Sequence, residues 1–290
     1  MSEKPSRKAL ILEGGGMRGA FVVGVLRMMH QMGLDSNHFD AIYAVSSSVF
    51  AATYFSTGQV EQMESTWRYL VHGSQLIKLG NLFSKEGNAI DLDYLISLFR
   101  GRVYLDLEKL RTSRPRLIYV VTNMQSGSAC YFSAKENIDL IFDLMMASAS
   151  PRFLRRDSIH IDNCSYCDGG YSDPLPISKA ILDGYTDLTV VLSRPKNAYP
   201  SILLSTILNL TSRHCNNNRY SFLSYWSSIK HLPKISEDTR VTVIQPPSFL
   251  LSAFSRSQDR IVSAIEAGKR QAEKVLFGQF RSSHLIRCGS

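Results

Sequence analysis

No stretch of the 290-residue chain reaches the roughly 18 consecutive apolar residues that a membrane-spanning helix needs. Met1 to Lys8 is polar, with nothing like the apolar core of a signal peptide. A cytoplasmic protein is expected, one whose contact with membranes is transient and at the surface. Cysteine is scarce and odd in number, five in all, at Cys130, Cys164, Cys167, Cys215 and Cys288. That argues against a secreted disulfide framework and for reduced thiols. Cys164 and Cys167 form a single C-x-x-C without a second pair or spaced histidines, so no metal is expected. Blocks of consecutive basic residues are also missing. The formal charge of +8 therefore suits a solvated surface, or attraction to anionic lipid headgroups, better than nucleic acid.

What is present is ample apolar material. Hydrophobic residues make up 44% of the chain and charged residues 20%, enough for one large α/β domain or two small ones, and a single domain spanning 1–290 is the simpler expectation. Lys8 to Glu13 (KALILE) has the composition of a buried strand and breaks at Gly14-Gly15-Gly16-Met17-Arg18-Gly19. Phe21, Val22, Val25, Leu26 and Met29 then recur at helical steps, and Gly33 stands where a helix would end. Ala41 to Val45 predicts a second strand, followed by Ser46, Ser47 and Ser48 and a helix over Val49 to Phe55. Strand and helix alternating in this way predict a mostly parallel sheet with helices on its faces. Arg116 to Thr122 and Leu188 to Ser193 are further buried strands by composition, and Val241 to Ile244 an outer one. Glu136 to Ala149 and Gln258 to Phe277 are expected to be helical. Between Asn197 and Glu237 the composition shifts toward Ser, Asn and aromatics, including Tyr220, Phe222, Tyr225 and Trp226. A lid-like helical insertion is expected at 197–237.

Gly14 to Gly19 spells G-x-G-x-x-G between a strand and a helix, which has two chemical uses. One is dinucleotide binding, which wants an acid at the carboxyl end of the second strand. Here the acid, Asp40, precedes that strand and Ser46 stands at its end. The other use is an anion or oxyanion site, since glycine N–H groups at a helix start can approach a substrate without a Cβ intervening. The serine turn matches the strand–nucleophile–helix arrangement of a nucleophile elbow. Such a turn needs small residues two before and two after the nucleophile, because the strand and helix backbones nearly touch. Ser46 has Ala44 and Ser48 there, whereas Ser47 has Val45 and Val49, and Ser48 has Phe50 on one side. Spacing thus selects Ser46, although serines that simply cap the next helix are the plain alternative. A serine nucleophile needs a base. None of the seven histidines follows a strand in an obvious turn, and His160, the nearest to one, is expected to be structural. Asp168-Gly169-Gly170 puts an acid in a glycine turn, where an aspartate capping its own backbone is the ordinary reading.

Taken in order, the glycine turn, the serine turn and the aspartate turn resemble the patatin-like phospholipase family. The likeness runs through LILEGGGMRGAFVVGVL at Leu10 to Leu26, FDAIYAVSSSVFAA at Phe39 to Ala52, ASASPRF at Ala147 to Phe153, and YCDGGYSDPLPISKAILDG at Tyr166 to Gly184. Ile244-Gln245-Pro246-Pro247 and the helix after it are similar to a bacterial branch of the family. The resemblance implies a three-layer αβα sandwich around a mostly parallel sheet. It also implies a lipid acyl hydrolase, phospholipase A-like, with a Ser–Asp dyad and no histidine. Carried over, the nucleophile is Ser46, the base Asp168, and the oxyanion hole the backbone of Gly14, Gly15 and Gly16 with Arg18 at the family's basic position. Gly19, Gly169 and Gly170 support the motifs. Ala44 and Ser48 stand where the family has glycines. The implied substrate is a phospholipid or another lipid ester, with no cofactor. Three further readings stay open: a catalytically weakened relative that binds lipid or a partner, a protease or thioesterase on the same scaffold, and a nucleotide-binding protein using Gly14 to Gly19.

Overall fold

The computed structural model describes residues 6–82, 87–155, 157–196 and 238–287. The lid-like insertion expected at 197–237 lies outside the described residues, as do Cys215 and Cys288. Among the described residues eight strands form one sheet: β1 (Lys8–Leu12), β2 (Ala41–Val45), β3 (Arg116–Asn123), β4 (Ala129–Ser133), β5 (Ile159–Ile161), β6 (Cys164–Asp168), β7 (Asp187–Val191) and β8 (Arg240–Ile244). Their order is β5-β6-β3-β2-β1-β7-β8, with β4 also pairing β3. The run β3-β2-β1-β7-β8 is parallel throughout, whereas β4, β5 and β6 join antiparallel. The fold is therefore an α/β sandwich with a mixed, mostly parallel central sheet.

Both faces of the central strands are buried, which explains their unbroken apolar sequences. Leu10, Leu12, Ile42, Ala44, Leu117 and Tyr119 point into the larger core. The alternate residues Ala9, Ile11, Ala41, Tyr43 and Ile118 point into a smaller one with Leu175, Ile177 and Ala180. On the larger side lie α1 (Gly19–Gln31), α2 (Ser48–Ser56), α3 (Val60–Tyr69), α4 (Leu92–Arg100), α6 (Ile141–Ser148) and α8 (Gln258–Arg287); α5 (Leu107–Thr112) leads into β3. On the smaller side lies α7 (Ile177–Leu182).

Two expectations are corrected. The helical spacing of Phe21, Val22, Val25, Leu26 and Met29 puts them on one face and predicts that this face is the buried one, but every residue from Gly19 to Leu26 is buried. The cause is α8, which crosses α1 so closely that a Cβ on Gly24 would come 1.9 Å from the Ile265 carbonyl oxygen, and one on Gly268 2.2 Å from that of Phe21. The helix expected at Glu136 to Ala149 is shorter, a 3-10 turn at Ile138–Leu140 and then α6. Asn137 turns back onto the end of β4, its Nδ2 donating to the Ser133 carbonyl at 2.9 Å, so the helix starts only after it. Cys164 and Cys167 are three apart on β6 and so face opposite ways. Among the described residues no group of three or more His, Cys, Asp or Glu could hold a metal ion. No helix among them is long and apolar enough to cross a membrane.

Candidate active site

Register alone carries the serine and the aspartate to one place. β2 pairs β3 up to Val45, which lies opposite Val120. Beyond that point β6 takes over the same edge of β3, running antiparallel, with Asp168 opposite Val121. The residue after Val45 and the last residue of β6 therefore meet at one level of the sheet. Ser46 Oγ donates to Asp168 Oδ2 at 2.7 Å.

Each partner is held by local structure that the sequence motifs specify. Ser46 has φ +56°, the left-handed region that a side chain rarely occupies. The strand stops there and α2 begins two residues later, as a nucleophile elbow requires. The plain alternative, serines capping α2, is not what forms: Ser47 stands at the N-cap position and its side chain makes no cap bond. Ser48 is fully buried, and its hydroxyl accepts the Val45 N–H at 3.0 Å and lies within reach of the Val45 and Leu12 carbonyls, at 2.8 and 3.0 Å. The side chain at this position thus ties β1 to β2 instead of crowding the turn. Ala44 packs into the larger core. Asp168 does cap its own turn, Oδ1 accepting the Gly170 N–H at 2.8 Å, which leaves Oδ2 for Ser46. Gly169 lets that turn lie against β3, since a Cβ there would be 2.1 Å from the Val120 carbonyl oxygen.

Asp168 is only 6% exposed. Burial raises its carboxyl to about 7, and the hydrogen bonds from Ser46 and Gly170 hold it below where burial alone would push it. At neutral pH a substantial fraction is ionised and still basic.

The glycine turn faces the same spot. A Cβ on Gly14 would come 2.4 Å from Ser46 Cβ and 2.7 Å from the Val45 carbonyl oxygen, so only glycine fits beside the serine. Gly16 has φ +58°, and a Cβ there would press on the Ala253 carbonyl oxygen at 2.6 Å. The Met17 N–H donates to that carbonyl and the Arg18 N–H to Gly15, whereas the N–H groups of Gly14, Gly15 and Gly16 donate to no acceptor among the described residues. The Arg18 guanidinium packs against Gly15, and Gly19 lies against Trp67.

Several supporting residues escaped the sequence reading. Glu13, 2% exposed, accepts the Ser193 N–H at 2.6 Å and pairs with Arg194 at 3.2 Å. Ser193 Oγ donates to the Gly14 carbonyl at 2.7 Å, so the glycine turn is tied to the end of β7. Ser148 accepts the Ser46 N–H at 3.0 Å. Glu13 adjoins the glycine motif, and the order of a parallel sheet would have nominated residues after the neighbouring strand. By contrast, Asp40 sits at the amino end of β2, accepting the Lys8 N–H at 2.9 Å and pairing with Arg114, away from the glycine turn. His160 is exposed on β5 and bonds Ser158 and Ser165.

A cavity opens above Ser46 and Asp168. Its floor is the glycine turn with Ser46 and Ser47. Its walls are apolar: Phe50 from α2, Trp67 from α3, Leu92, Leu95 and Phe99 from α4, and Phe153, Leu154 and Phe254 from loops. The dyad and the glycine turn thus share one cavity with hydrocarbon walls.

Comparison with known proteins identifies the family and the fold. The family model described as patatin-like phospholipase matches residues 10–181, more than half of the chain. The uncharacterized protein YjjU of Escherichia coli strain K12 is 29% identical over 202 residues, 68% of this chain and 54% of that protein. The chain thus spans about half the length of that curated relative. Among solved structures, VipD from Legionella pneumophila is similar with a TM-score of 0.53 at 12% identity, over 94% of this chain and 67% of that one. The type III effector protein ExoU gives a TM-score of 0.46 at 9% identity, over 95% of this chain and 53% of that one. At 12% identity the likeness to VipD speaks to the fold alone.

Proposed function

Because the chain belongs to the patatin-like phospholipase family, we propose that it is a lipid acyl hydrolase that cleaves carboxylic esters of phospholipids or similar lipids through a Ser46–Asp168 dyad. The observation that carries this reading is the 2.7 Å hydrogen bond from Ser46 Oγ to Asp168 Oδ2 on the floor of an apolar cavity, beside glycine amides that no described residue engages. In the proposed reaction the acyl chain lies along the apolar walls and the ester carbonyl oxygen points at the N–H groups of Gly14, Gly15 and Gly16. Ser46 Oγ bonds to the carbonyl carbon while its proton passes to Asp168. The resulting oxyanion is stabilised by the glycine amides. Collapse of that intermediate breaks the carbon–oxygen bond to the alcohol, which takes the proton from Asp168. Water then attacks the acyl-enzyme by the same route, and the fatty acid leaves. Asp168 suits the role because burial lifts it to about 7, where it is both ionised in part and basic enough to take a proton. Arg18, beside Gly15, adds positive charge next to the developing anion. A thioester would use the same parts.

The test is hydrolysis of a panel of lipid esters and of a short p-nitrophenyl ester by the wild-type protein and by Ser46→Ala, with a fluorophosphonate probe to report the nucleophile. Wild-type turnover, labelling at Ser46 and loss of both in the variant are expected. A folded wild-type protein that neither turns over esters nor takes up the probe would instead be a lipid- or partner-binding relative.

A further inference from the structure

The segment from Ser148, the last residue of α6, to Ser150 takes no chemical step in the reaction proposed above, yet it touches both members of the dyad. Ser148, fully buried, accepts the Ser46 N–H at 3.0 Å and donates its own hydroxyl proton to the Val120 carbonyl at 2.7 Å. Its oxygen stands between the N–H of one strand's end and the carbonyl of its neighbour, where continued pairing of β2 with β3 would have joined them directly. Two residues on, the Ser150 carbonyl accepts the Asp168 N–H at 3.1 Å. One short segment therefore holds the main chain of the nucleophile and the main chain of the base.

The geometry is purposeful because Ser46 is in a conformation that its own side chain disfavours, at φ +56°. Leaving the sheet at that angle strips Ser46 of a ladder partner for its N–H, and a buried N–H without an acceptor is costly. Ser148 supplies that acceptor only while the elbow keeps its turn.

We infer that Ser148 is a positioning residue, whose hydroxyl holds the Ser46 turn so that Oγ stays within reach of Asp168, with the Ser148 to Ser150 segment setting the separation of the two. The inference rests on the acyl-hydrolase reading. Ser148→Ala keeps the shape of the site but removes the acceptor for the Ser46 N–H and the donor to Val120.

The test measures kcat and KM of Ser148→Ala on a p-nitrophenyl ester and its rate of fluorophosphonate labelling, each per folded molecule as judged by a cooperative melt, beside wild type and Ser46→Ala. A misplaced nucleophile should lower kcat on the order of 10- to 100-fold. KM should stay within about twofold of wild type, and labelling should slow in parallel. Ser148→Cys, close in size and able to accept and donate weakly, should fall between the two, and it decides the matter if Ser148→Ala does not fold. A kcat within about twofold of wild type in the folded variant, or a loss confined to KM, would overturn the positioning role while leaving the dyad intact. If wild type itself neither turns over nor labels, the acyl-hydrolase reading fails and this inference with it.

Discussion

Replacing Asp168 by asparagine should stabilise the protein at alkaline pH while abolishing turnover. The carboxyl is buried and raised from an ordinary 3.8 to about 7. Between those two values the unfolded chain has released the proton and the folded chain still holds it, so wild-type stability falls as pH rises. Above about 7 both states are ionised and the full cost remains. At ~1.4 kcal/mol per pH unit, the span from pH 4.5 to 7 is worth roughly 3 kcal/mol. An asparagine does not titrate. Its Oδ1 can still accept the Gly170 N–H, and its Nδ2 can donate to Ser46 Oγ, reversing the hydrogen bond seen at 2.7 Å. The gap in melting temperature between Asp168→Asn and wild type should therefore widen by about 6 °C or more between pH 4.5 and pH 8.5, taking ~2 °C per kcal/mol for a chain of this size. Calorimetry or circular dichroism across that range reads it, and comparing the gap at each pH cancels every other titrating group. A gap that does not change with pH would mean that Asp168 is not held protonated by burial, and the argument for its basicity would go with it.

Other outcomes follow from the same geometry. For the wild-type protein, kcat/KM on a neutral ester should climb with pH through a midpoint near 7 and then level, as the ionised form of Asp168 takes over; a flat profile from pH 5 to 9 would exclude it as the base. Gly14→Ala puts a Cβ 2.4 Å from Ser46 Cβ and must displace the elbow. A rate loss on the order of 100-fold in a protein that still folds is expected, measured on the same ester. Gly268→Ala drives a Cβ to 2.2 Å from the Phe21 carbonyl oxygen and should part α8 from α1, costing about 1–3 kcal/mol in urea denaturation.

Much of this site was legible because its parts are local. A glycine turn, a serine flanked by small residues and an aspartate before two glycines are each consequences of backbone shape over a few residues. Small neighbours selected Ser46 from three adjacent serines, and the side chain on Ser48, where the family has glycine, is accommodated by bonding the carbonyls of Leu12 and Val45. The central strands were legible for a similar reason, since burial on both faces leaves an unbroken apolar run. Strands β4, β5 and β6 were not, because they are short or partly exposed and carry no such run. Nor could periodicity in α1 foretell that its outer face would be covered by a helix more than 200 residues away.

By itself, then, the sequence determined which turns could form and which residue types stand in them, because turn geometry and strand burial are set by near neighbours and by hydrophobicity. Tertiary structure decided the chemistry. The antiparallel entry of β6 along the edge that β2 vacates joins a hydroxyl and a carboxylate 122 positions apart. The packing around them removes water from Asp168 and so raises its carboxyl to about 7. Proximity and dielectric environment are properties of the assembled fold, and no local pattern encodes them.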